Sequence, residues 1–167
     1  KIFLVTKSVH IVPRKLNSAL ETSLESMKTS YIDLYCIHGL SAVHFIDENI
    51  KGWAEKAKAE GKIRFFGFST HGNMEKCMID AAKLGWIDGI MPSYNYRLMH
   101  KDSMKSAVDA CVKAGIGLTA MKTQGKRFYG IVGDVGKKAD TAENLIARSM
   151  DKGYTIEQAR LKAVWEN

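Results

Sequence analysis

Tyr31-Ile32-Asp33-Leu34-Tyr35-Cys36-Ile37-His38-Gly39 is the stretch from which the rest of the chain can be read. Its run from Ile32 to Ile37 is mostly apolar and too short for a buried helix, so it reads as a parallel strand covered on both faces. His38 and Gly39 then stand at the carboxyl end of that strand. In parallel sheets this is the end where side chains and loop amides converge on ligands. A core histidine bonded to a neighbour is the plain alternative for His38.

Working outward, Lys62-Ile63-Arg64-Phe65-Phe66-Gly67-Phe68 reads as a further strand that runs into Ser69-Thr70-His71-Gly72. A short strand is expected near Gly89–Pro92 and another over Ile116–Met121. Upstream, Ile2–Thr6 reads as a strand with Lys7 at its carboxyl end. Between these runs lie helical patterns. Leu16, Leu20, Leu24 and Met27 make one stripe over Arg14–Lys28. Ile46–Asn49 offers capping residues ahead of Ile50, Trp53, Ala54 and Ala57, and Gly61 closes that helix. Met74–Leu84 and Lys101–Ala114 complete the series. Strands alternating with helices in this way mark successive β-α units of a parallel sheet. Periodicity leaves two closures open, a doubly wound sheet or an eight-stranded barrel. The absence of a glycine-rich turn after the first strand argues against a dinucleotide-binding open sheet.

After Thr123 the pattern changes. Gly125–Lys138, rich in Gly and Lys, reads as a mobile loop, and two helical stretches follow at Ala139–Asp151 and Thr155–Trp165. Thr155 and Gln158 have the spacing of a capping box. The 167 residues, 46% of them hydrophobic, suffice for a single domain with a sizeable core. No apolar run is long enough to span a membrane and no signal-peptide pattern is present, so a soluble cytoplasmic protein is the default expectation. Cys36, Cys77 and Cys111 lie far apart, without the short spacings of a zinc or iron–sulfur site, and read as buried free thiols. The net charge of +7 comes from lysines that alternate with acids along helical stretches. That is a solvated helical surface, not a nucleic-acid interface.

Each strand ends in polar or flexible residues: Lys7-Ser8, His38-Gly39, Ser69-Thr70-His71, Ser93 to Arg97, and Lys122-Thr123-Gln124-Gly125. On a parallel sheet these ends face one rim, the geometry that assembles a small-molecule site. In Ile2–Lys7, Leu20–His38 and Glu60–Ser69, taken in this order and spacing, the chain resembles the aldo-keto reductases. The likeness runs from residue 1 to about 125. It implies a TIM (β/α)8 barrel whose third to seventh strands this chain supplies. The first, second and eighth strands, the N- and C-terminal parts of the barrel, are expected to lie outside it.

The resemblance also implies hydride transfer from NADP or NAD to an aldehyde or ketone. Lys7 and His38 match two of the family's four catalytic residues, and the Tyr proton donor and its Asp neighbour belong to the upstream part. A tyrosine of pKa about 10 donates poorly at neutral pH, and a nearby ammonium lowers that value. Lys7 is implied in that role; read alone it would be an ordinary exposed lysine. His38 is implied as hydrogen-bond donor to the substrate carbonyl. For the cofactor, Ser69 matches the serine at the nicotinamide carboxamide, Thr70 stands where asparagine is usual, and Met91 where glutamine is usual. Met121 stands where many members stack a tyrosine on the nicotinamide ring, with plain core packing as its alternative. Lys122, Thr123 and Gly125 match the loop along the pyrophosphate. Tyr94 and Asn95 repeat a Tyr-Asn pair of the family, read as shaping the rim.

Two other readings stay open. One is a non-catalytic nicotinamide-binding or structural protein on the same barrel, because a fold does not fix a function. The other is a barrel enzyme that takes a phosphorylated substrate at the Lys122 loop. A small-molecule carbonyl substrate, no nucleic acid, no membrane, and self-association through open sheet edges complete the expectations.

Overall fold

The structure is a computed structural model and describes residues 2–125 and 139–166. Most of the loop expected over Gly125–Lys138, residues 126–138, therefore lies outside the described residues. Five parallel strands pair in the order β1-β2-β3-β4-β5: β1 Val5–Ser8, β2 Ile32–Ile37, β3 Ile63–Thr70, β4 Gly89–Pro92 and β5 Gly117–Leu118. Spatial order follows chain order without the reversal that defines a doubly wound sheet. The sheet is thus the arc of an incomplete (β/α)8 barrel.

The chain divides into two compact units, Lys1–Pro92 with Ala107–Thr119, and Ser93–Ser106 with Ala120–Asn167. The first holds the whole sheet with helices α1 Pro13–Met27, α2 Glu48–Ala59 and α3 Met74–Leu84. Helix α4, Asp102–Lys113, runs from the second unit into the first. All six residues of β2 are buried, as a strand covered on both faces must be. On the helix side Tyr35 meets Trp53 of α2 at 5.6 Å between ring centroids, and Trp53 meets Phe66 of β3 at 5.9 Å. Leu16, Leu20 and Leu24 of α1, and Ile50, Ala54 and Ala57 of α2, supply the rest of the layer.

Helix ends follow their local chemistry. Pro13 opens α1, where its missing N–H costs nothing, and Lys28 closes it in the left-handed region at φ 51°. Asp47 accepts from the backbone N–H groups of Asn49 and Ile50, and Gly61 follows α2 at φ 70°.

Two carboxylates pin the amino ends of strands. Asp33, 1% exposed, accepts from Leu4 N at 2.9 Å and from Arg64 Nη1 at 2.5 Å. Asp88 accepts from Phe66 N at 2.8 Å and from Lys58 Nζ at 2.5 Å. The first explains a boundary that differs from the sequence expectation. Because Leu4 N is held by the Asp33 carboxylate, ladder pairing with β2 starts at Val5↔Leu34, and Lys7 lies inside β1. At the other edge β5 is shorter than Ile116–Met121, reduced to Gly117–Leu118.

In the second unit Ser93 and Met121 form a parallel bridge, and Tyr94 N donates to Met121 O at 2.8 Å. Tyr96, Met99, Ile146, Ala159 and Ala163 form its buried cluster with helices α5 Ala139–Met150 and α6 Ile156–Trp165. The capping box expected of Thr155 and Gln158 is present in both directions.

Asp33→Ala leaves the Leu4 N–H and the Arg64 guanidinium without their acceptor. It is expected to lower the unfolding free energy by about 1–3 kcal/mol in urea titrations. Asp80→Ala, which removes surface ion pairs with Lys76 and Lys83 on α3, should leave the urea midpoint almost unchanged.

Candidate active site

Strand register assembles the site in the first unit. Lys7 pairs with Cys36, Cys36 with Gly67, and Gly67 with Gly89. His38 and Ser69 stand two residues beyond Cys36 and Gly67, hence on the same face of the sheet, and Met91 pairs with Ser69. Lys7, His38, Ser69 and Met91 thus share one face at the carboxyl edge. Lys7 and His38 are exposed, Met91 is half-buried and Ser69 is 0% exposed.

The histidine is anchored from three directions. His38 N donates to Ser8 O at 2.7 Å, continuing the ladder past Ile37. Gly39, at φ 70°, then turns its N–H onto Ser69 Oγ at 3.0 Å, and Leu40 N donates to Ser69 O at 2.8 Å. The ring's Nδ1 lies 3.1 Å from the same Ser69 Oγ. His71 meets the ring edge-on, 6.0 Å between centroids, a contact that strand-end position alone did not assign.

Beneath Lys7 and His38, burial pushes the Cys36 thiol up to about 12, with the Lys7 charge pulling the other way. It is a neutral packing group at any ordinary pH. A Cβ at Gly67 would sit 1.7 Å from Gly89 O, so the β3–β4 pairing admits no side chain there. Sequence reading passed over Gly67 and Gly89. The available signal was glycine inside a strand, which marks a close approach of backbones.

Thr70 is not brought to this face. It follows Ser69 and by alternation points to the helix side, fully buried, where its hydroxyl donates to Gly72 O at 3.1 Å. There it also bonds the Cys77 thiol of α3, whose pKa burial raises.

The residues expected along a pyrophosphate lie in the second unit. Gly125 N donates to Lys122 O at 2.9 Å, closing a four-residue turn, with Lys122 at φ 55° and Gly125 at φ 60°. A Cβ at Gly125 would come within 2.9 Å of Tyr96 Cε1. Asn95 holds the turn, its Nδ2 donating to Lys122 O at 3.4 Å while its Oδ1 accepts from Arg97 N at 3.1 Å. Met121 contributes its carbonyl to Tyr94 N, and Thr123 is half-buried within the turn.

Among the described residues no group of three or more His, Cys, Asp or Glu is placed to hold a metal ion, and no helix is long and apolar enough to cross a membrane. The model of the Aldo/keto reductase family matches residues 1–149. Over 55 residues the chain is 44% identical to "Uncharacterized oxidoreductase YqkF" of Bacillus subtilis, covering 33% of this chain and 18% of that protein. Over 124 residues it is 27% identical to "Probable aldo-keto reductase 1" of Glycine max, covering 71% of this chain and 33% of that protein. It superposes on an aldo/keto reductase of Klebsiella pneumoniae, solved with NADP and acetate, with a TM-score of 0.68 and 22% identity over 96% of this chain and 54% of that one. The chain spans at most a third of these two curated relatives and about half of the solved structure.

Gly39→Ala meets no atom within 4 Å, so only the left-handed backbone opposes it. Its cost is expected to be about 1–2 kcal/mol. Gly67→Ala, which drives a methyl into Gly89 O, should unfold the chain at much lower urea, as circular dichroism would record. For Cys36, a folded pKa of about 12 against an ordinary 9.0 means that the native state keeps a proton the unfolded chain loses. The thiol's stabilising contribution is complete below the lower value and is lost as pH rises through that window. Stability measured against pH should therefore fall less steeply there in Cys36→Ala than in the parent.

Proposed function

The chain belongs to the aldo/keto reductase family, and from that premise we propose that it carries part of the active site of an NAD(P)H-dependent oxidoreductase that reduces aldehyde or ketone carbonyls. The observation that carries the reading is the shared face of Lys7 and His38, with the His38 ring held against a buried serine. Lys7 forms no ion pair among the described residues, and the group beside it in register is a neutral thiol. Its ammonium is therefore available to favour the phenolate of a tyrosine supplied by the preceding barrel strands. His38 donates a hydrogen bond to the carbonyl oxygen, orienting it and stabilising the alkoxide as it forms.

The residues around this pair fit a nicotinamide. Half-buried Met91, paired in register with the buried Ser69, offers a polarizable surface. Bound NADPH or NADH would supply the hydride. Thr70 contributes through the packing of the strand end, since its hydroxyl is committed to Gly72 and Cys77. In the second unit the Lys122 ammonium and the turn closed by Gly125, with Thr123 between them, suit a phosphate, and Met121 precedes that turn. We assign β1 and β5, the outer strands of the sheet, to pairing with further strands, whether of a longer chain or of a second copy.

The test is an assay of nicotinamide absorbance with a reactive aldehyde. The 167-residue chain alone should show no useful turnover, because the acid catalyst it lacks is commonly worth about 10²–10⁴-fold. A fusion that supplies the remaining strands from the Bacillus subtilis relative should turn over. In it, Lys7→Met and His38→Ala should each lower kcat by about 100-fold or more. Nicotinamide binding by the fusion with no turnover would favour the non-catalytic reading, and turnover indifferent to both substitutions would place the chemistry elsewhere.

A further inference from the structure

We propose that Ser69 is a positioning residue that fixes the proton of His38 on Nε2. This rests on the reading of His38 as hydrogen-bond donor to the carbonyl, and says how that donor is set.

A serine hydroxyl has one proton and two lone pairs. At Ser69 the Gly39 N–H, which can only donate, takes one lone pair at 3.0 Å. The side chain is wholly buried, so its own proton needs a protein acceptor. Among the described residues the acceptor within reach is Nδ1 of His38 at 3.1 Å. Ser69 therefore donates to Nδ1, and a neutral imidazole that accepts at Nδ1 carries its proton on Nε2. Nε2 is left unengaged among the described residues on an exposed ring. The Gly39 turn thus does more than redirect the chain. By occupying one lone pair with an obligate donor, it biases the direction of the serine's own bond.

The test is a two-bond proton–nitrogen correlation spectrum of the ¹⁵N-labelled 167-residue chain, recorded where the histidines are neutral, with His38→Gln to assign the ring. The expected result is a single tautomer for His38, protonated at Nε2. Ser69→Ala should lose that signature and give an average of both tautomers, and Ser69→Thr, which keeps the hydroxyl, should restore it. An Nδ1-protonated ring in the parent chain would overturn the proposal, and that spectrum decides even where Ser69→Ala fails to fold. A folded Ser69→Ala with the parent's pattern would overturn it as well. Tautomer and turnover are separate readouts: Nε2–H without turnover in the fusion sinks carbonyl reduction alone, and Nδ1–H with turnover sinks this inference alone.

Discussion

The register between β2 and β3 is the constraint on which the rest depends. Cys36 opposes Gly67, and two residues further along the same alignment brings the His38 ring to the Ser69 hydroxyl. Side chains alternate between faces, so a slip by one residue would turn the whole apolar set of a strand to the wrong side. On β2, buried throughout, no such slip is tolerable. The next strand tightens the limit, because the approach of Gly89 O leaves no room for a side chain at Gly67.

The two ends of the sheet divide the work. At the amino ends, Asp33 and Asp88 occupy backbone donors of neighbouring strands and are themselves paired with Arg64 and Lys58. These are places where a carboxylate, buried at Asp33 and half-buried at Asp88, replaces a missing ladder partner, and removing it strands a donor. At the carboxyl ends, Lys7 and His38 remain exposed. The surface pairs of the helices, such as Lys51–Glu48 and Lys56–Glu60, belong to neither task and contribute little.

Much of this was legible in the sequence, and the failures have physical causes. The apolar run of β2 and the stripes of α1 and α2 were readable because burial on a face imposes a period. Closure was not, since a barrel and a doubly wound sheet have the same alternation of elements; only the spatial order β1 to β5 separates them. The start of β1 was misjudged because Leu4 bonds to a side chain on another strand, a contact with no local signature. Thr70 and Ser69 are adjacent in the motif, and alternation along β3 puts their side chains on opposite faces of the strand.

The site's chemistry also depends on what stands beneath it. An ammonium on a strand is useful to a neighbouring phenol only if nothing closer neutralises it. The position beside Lys7 in register is Cys36, wholly buried, and its pKa of about 12 keeps it uncharged. A carboxylate there would pair with Lys7 and screen it, and a larger apolar group would crowd the row that Gly67 and Gly89 keep clear. A small neutral group meets both demands. The burial that holds the thiol neutral is the same burial that fixes the register of β2, so the availability of Lys7 and the placement of His38 have one origin.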